Sequence, residues 1–253
     1  MGGALLRGWI AAGVPASSLA VREPHPSPDM AKLLKDMGIS AELQSAPDAL
    51  VLAVKPQIMA AALGELAKLA GPGTVVLSIA AGRTVQSIAA HFPQNTAIVR
   101  AMPNLPAEVG RGMTAAFANA YVTAVQHDLC GSLLAAAGEV AWVEDEGYLD
   151  AVTAVSGSGP GYIFYLVECL ASAGRDAGLP PDLAMQLARV TVSGAGELLH
   201  RSSLSAAQLR ENVTSPAGTT AAGLSVLMRK PGLEELMRET VAAAARRSRE
   251  LAE

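Results

Sequence analysis

The feature that most constrains the fold is a change of rhythm near residue 148. Before it, short continuous apolar runs recur: ALVLAV at 49–54, TVVLSIA at 74–80, and a run at 96–100 that ends on Arg100. Segments of helical length separate them, at 58–69 and 85–91. Uninterrupted apolar strands alternating with helices predict parallel βαβ units buried on both faces. Further helices are predicted at 3–12 and 29–37, with a short strand at 19–22. Strands at 112–117 and 139–143, flanking a helix near 120–137, extend the same sheet. After Tyr148 the strand pattern stops. Helices are predicted at 149–174, with SGSGPG interrupting at 156–161, and at 182–200, 206–212, 219–228 and 233–251. Strand–helix units followed by helices alone imply two domains, 1–148 of α/β type and 149–253 all-α.

Composition narrows the classes. The 253 residues are 51% hydrophobic and 17% charged, which excludes a disordered chain. The 49 Ala and 24 Gly suit closely packed helices and tight turns. A net charge of −4 offers no basic field for nucleic acid. No run approaches the ~18 apolar residues of a membrane span, and the start lacks the pattern of a secretory signal. We therefore expect a soluble cytoplasmic protein. Two cysteines make no disulfide framework, and the four histidines have no partner at metal-ligand spacing. Neither Ser156 nor Ser158 fits a G-x-S-x-G elbow, and no Walker A sequence occurs. The helices at 149–173 and 184–199 are apolar on more than one face, which calls for a partner subunit to cover them. Arg246, Arg247 and Arg249 read as a solvated helical face.

Two constellations carry chemistry. A doubly wound sheet binds ligands at the carboxyl ends of its strands. There this chain has Lys55-Pro56-Gln57, Ala80-Ala81-Gly82, and Ala101 to Pro106 with Asn104 among them. Small residues and prolines let backbone lie against a flat ligand, though they also simply end strands. The second is NVTSPAGTT at 212–220. Ser215 reads as an N-cap and Pro216 as a first-turn residue, so a helix starting there would offer free N–H groups to a carboxylate or phosphate. An ordinary capped helix start reads the same way.

These motifs resemble those of pyrroline-5-carboxylate reductases, in family order along nearly the whole chain: AVKPQ at 53–57, SIAAG at 78–82, RAMPNLP at 100–106, DAVTAVSGSGPGYIF at 150–164 and NVTSPAGTT at 212–220. The resemblance implies a Rossmann-type dinucleotide-binding domain and a helical dimerisation domain. It also implies homodimers that assemble further, up to decamers. The implied reaction is hydride transfer from NADPH, with NADH also accepted, to the C=N bond of 1-pyrroline-5-carboxylate, giving L-proline. By resemblance, Gly2, Ala53, Val54, Lys55, Pro56, Ile79, Ala80, Ala81 and Asn212 hold the cofactor, and Asn104 lies near the nicotinamide. Ser215, Gly218, Thr219 and Thr220 hold the substrate, with Thr220 hydrogen-bonded to the ring nitrogen.

The sequence departs from the family in two places. Met1-Gly2 matches the end of the family's G-x-G-N-M-G turn, so the first strand and first two glycines are not in these 253 residues, and we expect two strand edges to be exposed. Ala217 stands where the family often has Gly. A catalytically silent dimerising homologue and a related imine or hydroxyacid reductase are the competing readings. A hydroxyacid reductase would carry a Lys within 150–168, and this chain has none. At the end of LAVR, Arg22 suits the 2′-phosphate of NADP and Glu23 the 2′-hydroxyl of NAD. With His25 and Ser27 nearby, we expect Arg22 to favour NADPH.

Overall fold

The computed structural model describes residues 1–54, 59 and 63–252. They fall into two compact units, Met1–Gly157 with Ala245–Glu253, and Ser158–Ala244. The division lies at Gly157, beyond the 148/149 boundary that the loss of strand pattern suggests.

The first unit holds a five-stranded sheet in the order β1-β2-β3-β4-β5: β1 Ala49–Leu52, β2 Val75–Ser78, β3 Ile98–Met102, β4 Gly112–Ala118 and β5 Gly138–Trp142. β1, β2 and β3 run parallel, as expected for βαβ units. β4 is antiparallel to β3 and parallel to β5. The segment joining β3 to β4 is too short for a crossover, which needs a dozen or more residues, so the chain reverses there. Helices cover both faces. Leu77 and Val99 pack with Leu5, Trp9 and Leu134, from helices α1 (Gly2–Ala11) and α4 (Ala124–Ala135). Val76 and Ile98, the neighbouring residues on β2 and β3, face the other way, onto Leu50, Leu52, Leu63 and Ile88. The continuous apolar runs are therefore the two opposite faces of strands buried on both sides.

One strand is corrected. The segment at 19–22 forms only a single bridge, Ala20 to Ser40. Among the described residues no strand lies between it and β1, so its backbone has no ladder to join. The remaining helices here are α2 (Pro28–Met37), capped by Ser27, and α3 (Val85–Ala89), capped by Thr84. Of the helix expected at 58–69, residues 58 and 60–62 lie outside the described residues. The long helix expected from 149 is really α5 (Tyr148–Val152), one π-helical turn (Thr153–Gly157) and α6 (Gly159–Asp176). The Pro/Gly interruption marks this change of winding.

The second unit contains α6, with α7 (Pro181–Arg201), α8 (Ala206–Asn212), α9 (Thr219–Leu227) and the first part of α10 (Leu233–Ala252). α6 and α7 meet through small residues: Ala171, Ala184 and Ala188 are buried, and Gly174 packs against Ala184. The large apolar side chains lie on the outside, with Phe164 54%, Tyr165 65% and Val190 64% exposed. Among the described residues no helix is long and apolar enough to cross a membrane.

Candidate functional site

Because β1, β2 and β3 are parallel, their carboxyl ends share one edge of the sheet. Ala53 and Val54 follow β1, Ile79-Ala80-Ala81 follow β2, and Pro103-Asn104 follow β3. The three segments predicted to line a cofactor crevice are thus side by side, with Ile79 and Ala80 buried and Ala53 and Ala81 exposed. Lys55 and Pro56, predicted for the same crevice, lie outside the described residues. The edge is held by its own backbone: Ile79 N–H donates to the Leu52 carbonyl (3.1 Å).

Gly2 opens α1 at this edge. A Cβ on Gly2 would sit 2.8 Å from the Ala53 side chain, so only glycine lets the helix start come this close to the end of β1. Met1 precedes it without a side-chain cap, leaving first-turn N–H groups for a ligand. Arg22 is exposed and anchored by Nε on the Ala41 carbonyl (3.2 Å). Glu23 Oε1 accepts the His25 N–H (3.0 Å), and Ser27 Oγ accepts the Met30 N–H as a helix cap (3.3 Å). Of these side chains, Arg22 offers further donors to an anion.

Asn104, expected near the nicotinamide, follows β3 and bonds to backbone on both sides of its amide. Its Oδ1 accepts the Met113 N–H (2.9 Å) and its Nδ2 donates to the Ser156 carbonyl (3.0 Å). Each end of the amide thus makes one bond to backbone.

In the second unit, 215–218 form a turn closed by Gly218 N–H donating to the Ser215 carbonyl (3.0 Å). Pro216 takes the second position, and Ala217 the third with φ +58°, the pattern of a type II turn that normally wants glycine there. This corrects the reading of Ser215 as helix cap. A residue at positive φ cannot continue a right-handed helix, so α9 starts at Thr219 and its N-cap is Gly218, with no side-chain cap. Thr219 and Thr220 are exposed on its first turn. The structure so brings Ser215, Gly218, Thr219 and Thr220 together around uncapped N–H groups. Asn212 is the last residue of α8, exposed.

A part-buried ion pair escaped the sequence reading. Arg100, 6% exposed on β3, binds Glu146 through Nη1 to Oε1 (2.8 Å), and the same Oε1 accepts the Val85 N–H (2.8 Å). An arginine inside an apolar strand is itself the signal, because a buried charge must be paired.

The comparisons fit this geometry. Residues 1–82 match the family model described as NADP oxidoreductase, coenzyme F420-dependent, and residues 146–251 that of pyrroline-5-carboxylate reductase dimerisation. A pyrroline-5-carboxylate reductase of Pseudomonas aeruginosa is 40% identical over 100% of this chain and 94% of its own. The chain belongs to the pyrroline-5-carboxylate reductases. A solved reductase of this family from Coxiella burnetii has the same fold, with TM-score 0.91 at 34% identity over 100% of this chain and 95% of that one. A Plasmodium falciparum pyrroline carboxylate reductase solved with NADP bound has TM-score 0.80 at 26% identity, over 100% of this chain and 95% of that one. Members of the family thus share the Rossmann-type sheet and the helical dimerisation domain seen here.

Proposed function

We propose that the chain reduces 1-pyrroline-5-carboxylate to L-proline with NADPH, accepting NADH less well, as a cytoplasmic homodimer making proline. The observation that carries the substrate assignment is the Gly218-capped start of α9. Free N–H groups on the first turn suit the substrate's carboxylate, and the helix dipole favours its charge. Ser215 and Thr219 add hydroxyl donors beside them, and the Thr220 hydroxyl hydrogen-bonds the ring nitrogen.

The cofactor assignment rests on the edge formed by β1, β2 and β3. The close approach of Gly2 to Ala53 supports a pyrophosphate-sized anion at the start of α1, where a side chain would fill the space. Ala53, Val54, Ile79, Ala80 and Ala81 offer small or apolar surface to the flat groups, and Lys55 and Pro56 continue the first of these segments. Arg22 reads the 2′-phosphate. When bound, the reduced nicotinamide supplies the hydride. The protein's part is orientation and electrostatics. The imine carbon takes the hydride and the ring nitrogen takes a proton, from water or carried in on the substrate. Thr220 holds that nitrogen by a hydrogen bond without giving up its own proton.

The family's dimerisation region and the exposed apolar side chains of α6 and α7 support the homodimer. Phe164, Tyr165, Leu166 and Val190 are about half exposed or more, which gives a partner subunit apolar surface to cover. Chromatographed proline from a mixture of chain, NADPH and pyrroline-5-carboxylate, in step with loss of 340 nm absorbance, tests the activity. Absorbance loss without proline, or no loss, rules it out. Light scattering at micromolar concentration should give at least a dimer mass; a monodisperse monomer removes the assembly.

A further inference from the structure

We propose that Asn104 is a positioning residue that repairs a break made by Pro160, rather than a contact to the cofactor. The inference rests on the reductase reading above and deepens it. Ser156 lies in the π-helical turn Thr153–Gly157. In a continuing α-helix its carbonyl would accept from the N–H four residues on. That residue is Pro160, which has no N–H. The next donor along, Gly161 N–H, goes to the Ser158 carbonyl (2.9 Å).

Asn104 fills the vacancy from the end of β3, with Nδ2 on the Ser156 carbonyl (3.0 Å). Its Oδ1 is held at the same time by the Met113 N–H (2.9 Å), at the start of β4. One partner is a donor and the other an acceptor, so the amide has only one sensible orientation. The hydroxyls within the turn cannot substitute. Thr153 Oγ1 donates to the Leu149 carbonyl (2.7 Å) and Ser156 Oγ to the Val152 carbonyl (3.1 Å). Gly157 lies against the same strand end: a Cβ there would come within 2.8 Å of the Met102 methyl, which would have to shift. The asparagine of RAMPNLP and the proline of SGSGPG thus form one device. It ties the last turn of the first unit to the β3 end of the proposed cofactor edge.

A double-mutant cycle tests this. Asn104→Ala removes the donor, while Pro160→Ala returns an N–H to position 160 and makes that donor redundant. Asn104→Ala alone should lower the thermal midpoint, as expected for one lost bond to a partly buried carbonyl, and lower kcat with KM for NADPH unchanged. In the Pro160→Ala background the loss should shrink several-fold. Asn104→Asp, which keeps the acceptor for Met113 N–H but loses the donor, should be at least as impaired as Ala; it serves also if Ala does not fold. The thermal midpoint should show the same coupling, with Asn104 substitutions costing less once residue 160 is Ala. That measurement needs no substrate, so it tests the pin even if pyrroline-5-carboxylate is not turned over, which would instead overturn the activity. A raised KM for NADPH with kcat retained, or equal losses in both backgrounds, overturns the proposal.

Discussion

Gly218→Ala measures how tightly the proposed substrate turn is built. Gly218 has φ −79° and ψ 174°, which any residue adopts, so backbone strain plays no part. The obstacle is contact. The added Cβ would overlap Ser215 Oγ and lie 3.1 Å from the Ser215 carbonyl oxygen. The Ser215 hydroxyl must then leave its rotamer, at about 0.5–1.5 kcal/mol, or the turn must open. Ala is a poorer N-cap than Gly, but it also reduces the entropy of the unfolded chain; these effects are similar in size and oppose each other. About 1 kcal/mol therefore remains, concentrated at the site, and should raise KM for pyrroline-5-carboxylate about five-fold. Steady-state rates at saturating NADPH, and inhibition by L-proline, provide the assay, with KM for NADPH as the control. Ser215→Ala weakens binding by itself but removes the overlapping oxygen. Gly218→Ala should therefore cost distinctly less in that background. Equal multiplication of KM in both backgrounds would refute the geometry, and normal proline affinity in Gly218→Val would place the carboxylate elsewhere.

Glu146→Ala should destabilise the first unit by about 3–5 kcal/mol, because it strands the buried Arg100 and the Val85 N–H, whereas Arg100→Met leaves a carboxylate 25% exposed that water can serve and should cost less than half as much in urea unfolding at fixed protein concentration. Arg22→Ala should raise KM for NADPH several-fold and leave KM for NADH unchanged, and equal effects on both would mean that Arg22 does not read the 2′ position. Burial pushes the Cys130 thiol up to about 12, so at pH 8 it should resist alkylation in the native protein and react only when urea exposes it, as mass spectrometry would show.

Much of the first unit was legible because burial on both faces leaves a plain mark. Val75, Val76 and Leu77 are consecutive apolar residues serving opposite layers, and the short length of the run, bounded by Gly73 and Gly82, marks it as a strand rather than a helix. The strand at 19–22 failed because a strand needs a neighbour to bond, and Ala20 finds only Ser40. At 215–218 the helix cap was misplaced: it is Gly218, not Ser215. Pro216 suits both a first helical turn and the second position of a β-turn, and what decides is the positive φ of Ala217, which alanine does not advertise. The lost N–H of Pro160 can be read from sequence. Its repair by a side chain 56 positions earlier cannot, since that depends on where β3 ends.

The groups proposed to bind and orient substrate are backbone amides and hydroxyls, and none of them titrates near neutral pH. That has a kinetic consequence. A side chain acting as general acid would put its own pKa into the pH dependence of kcat/KM. Here the proton on the ring nitrogen comes from water or arrives with the substrate, so the profile should follow protonation of the imine. Thr220→Val removes the hydroxyl while keeping the shape of the side chain. It should lower kcat/KM by about 1.5–3 kcal/mol, some ten- to hundred-fold, if the bond is made to a charged nitrogen. The loss should be the same factor at every pH from 6 to 9, leaving the profile's shape intact. An inflection that moves or disappears in Thr220→Val would mean that a titrating group works through this hydroxyl, and the assignment of a purely orienting role would fail.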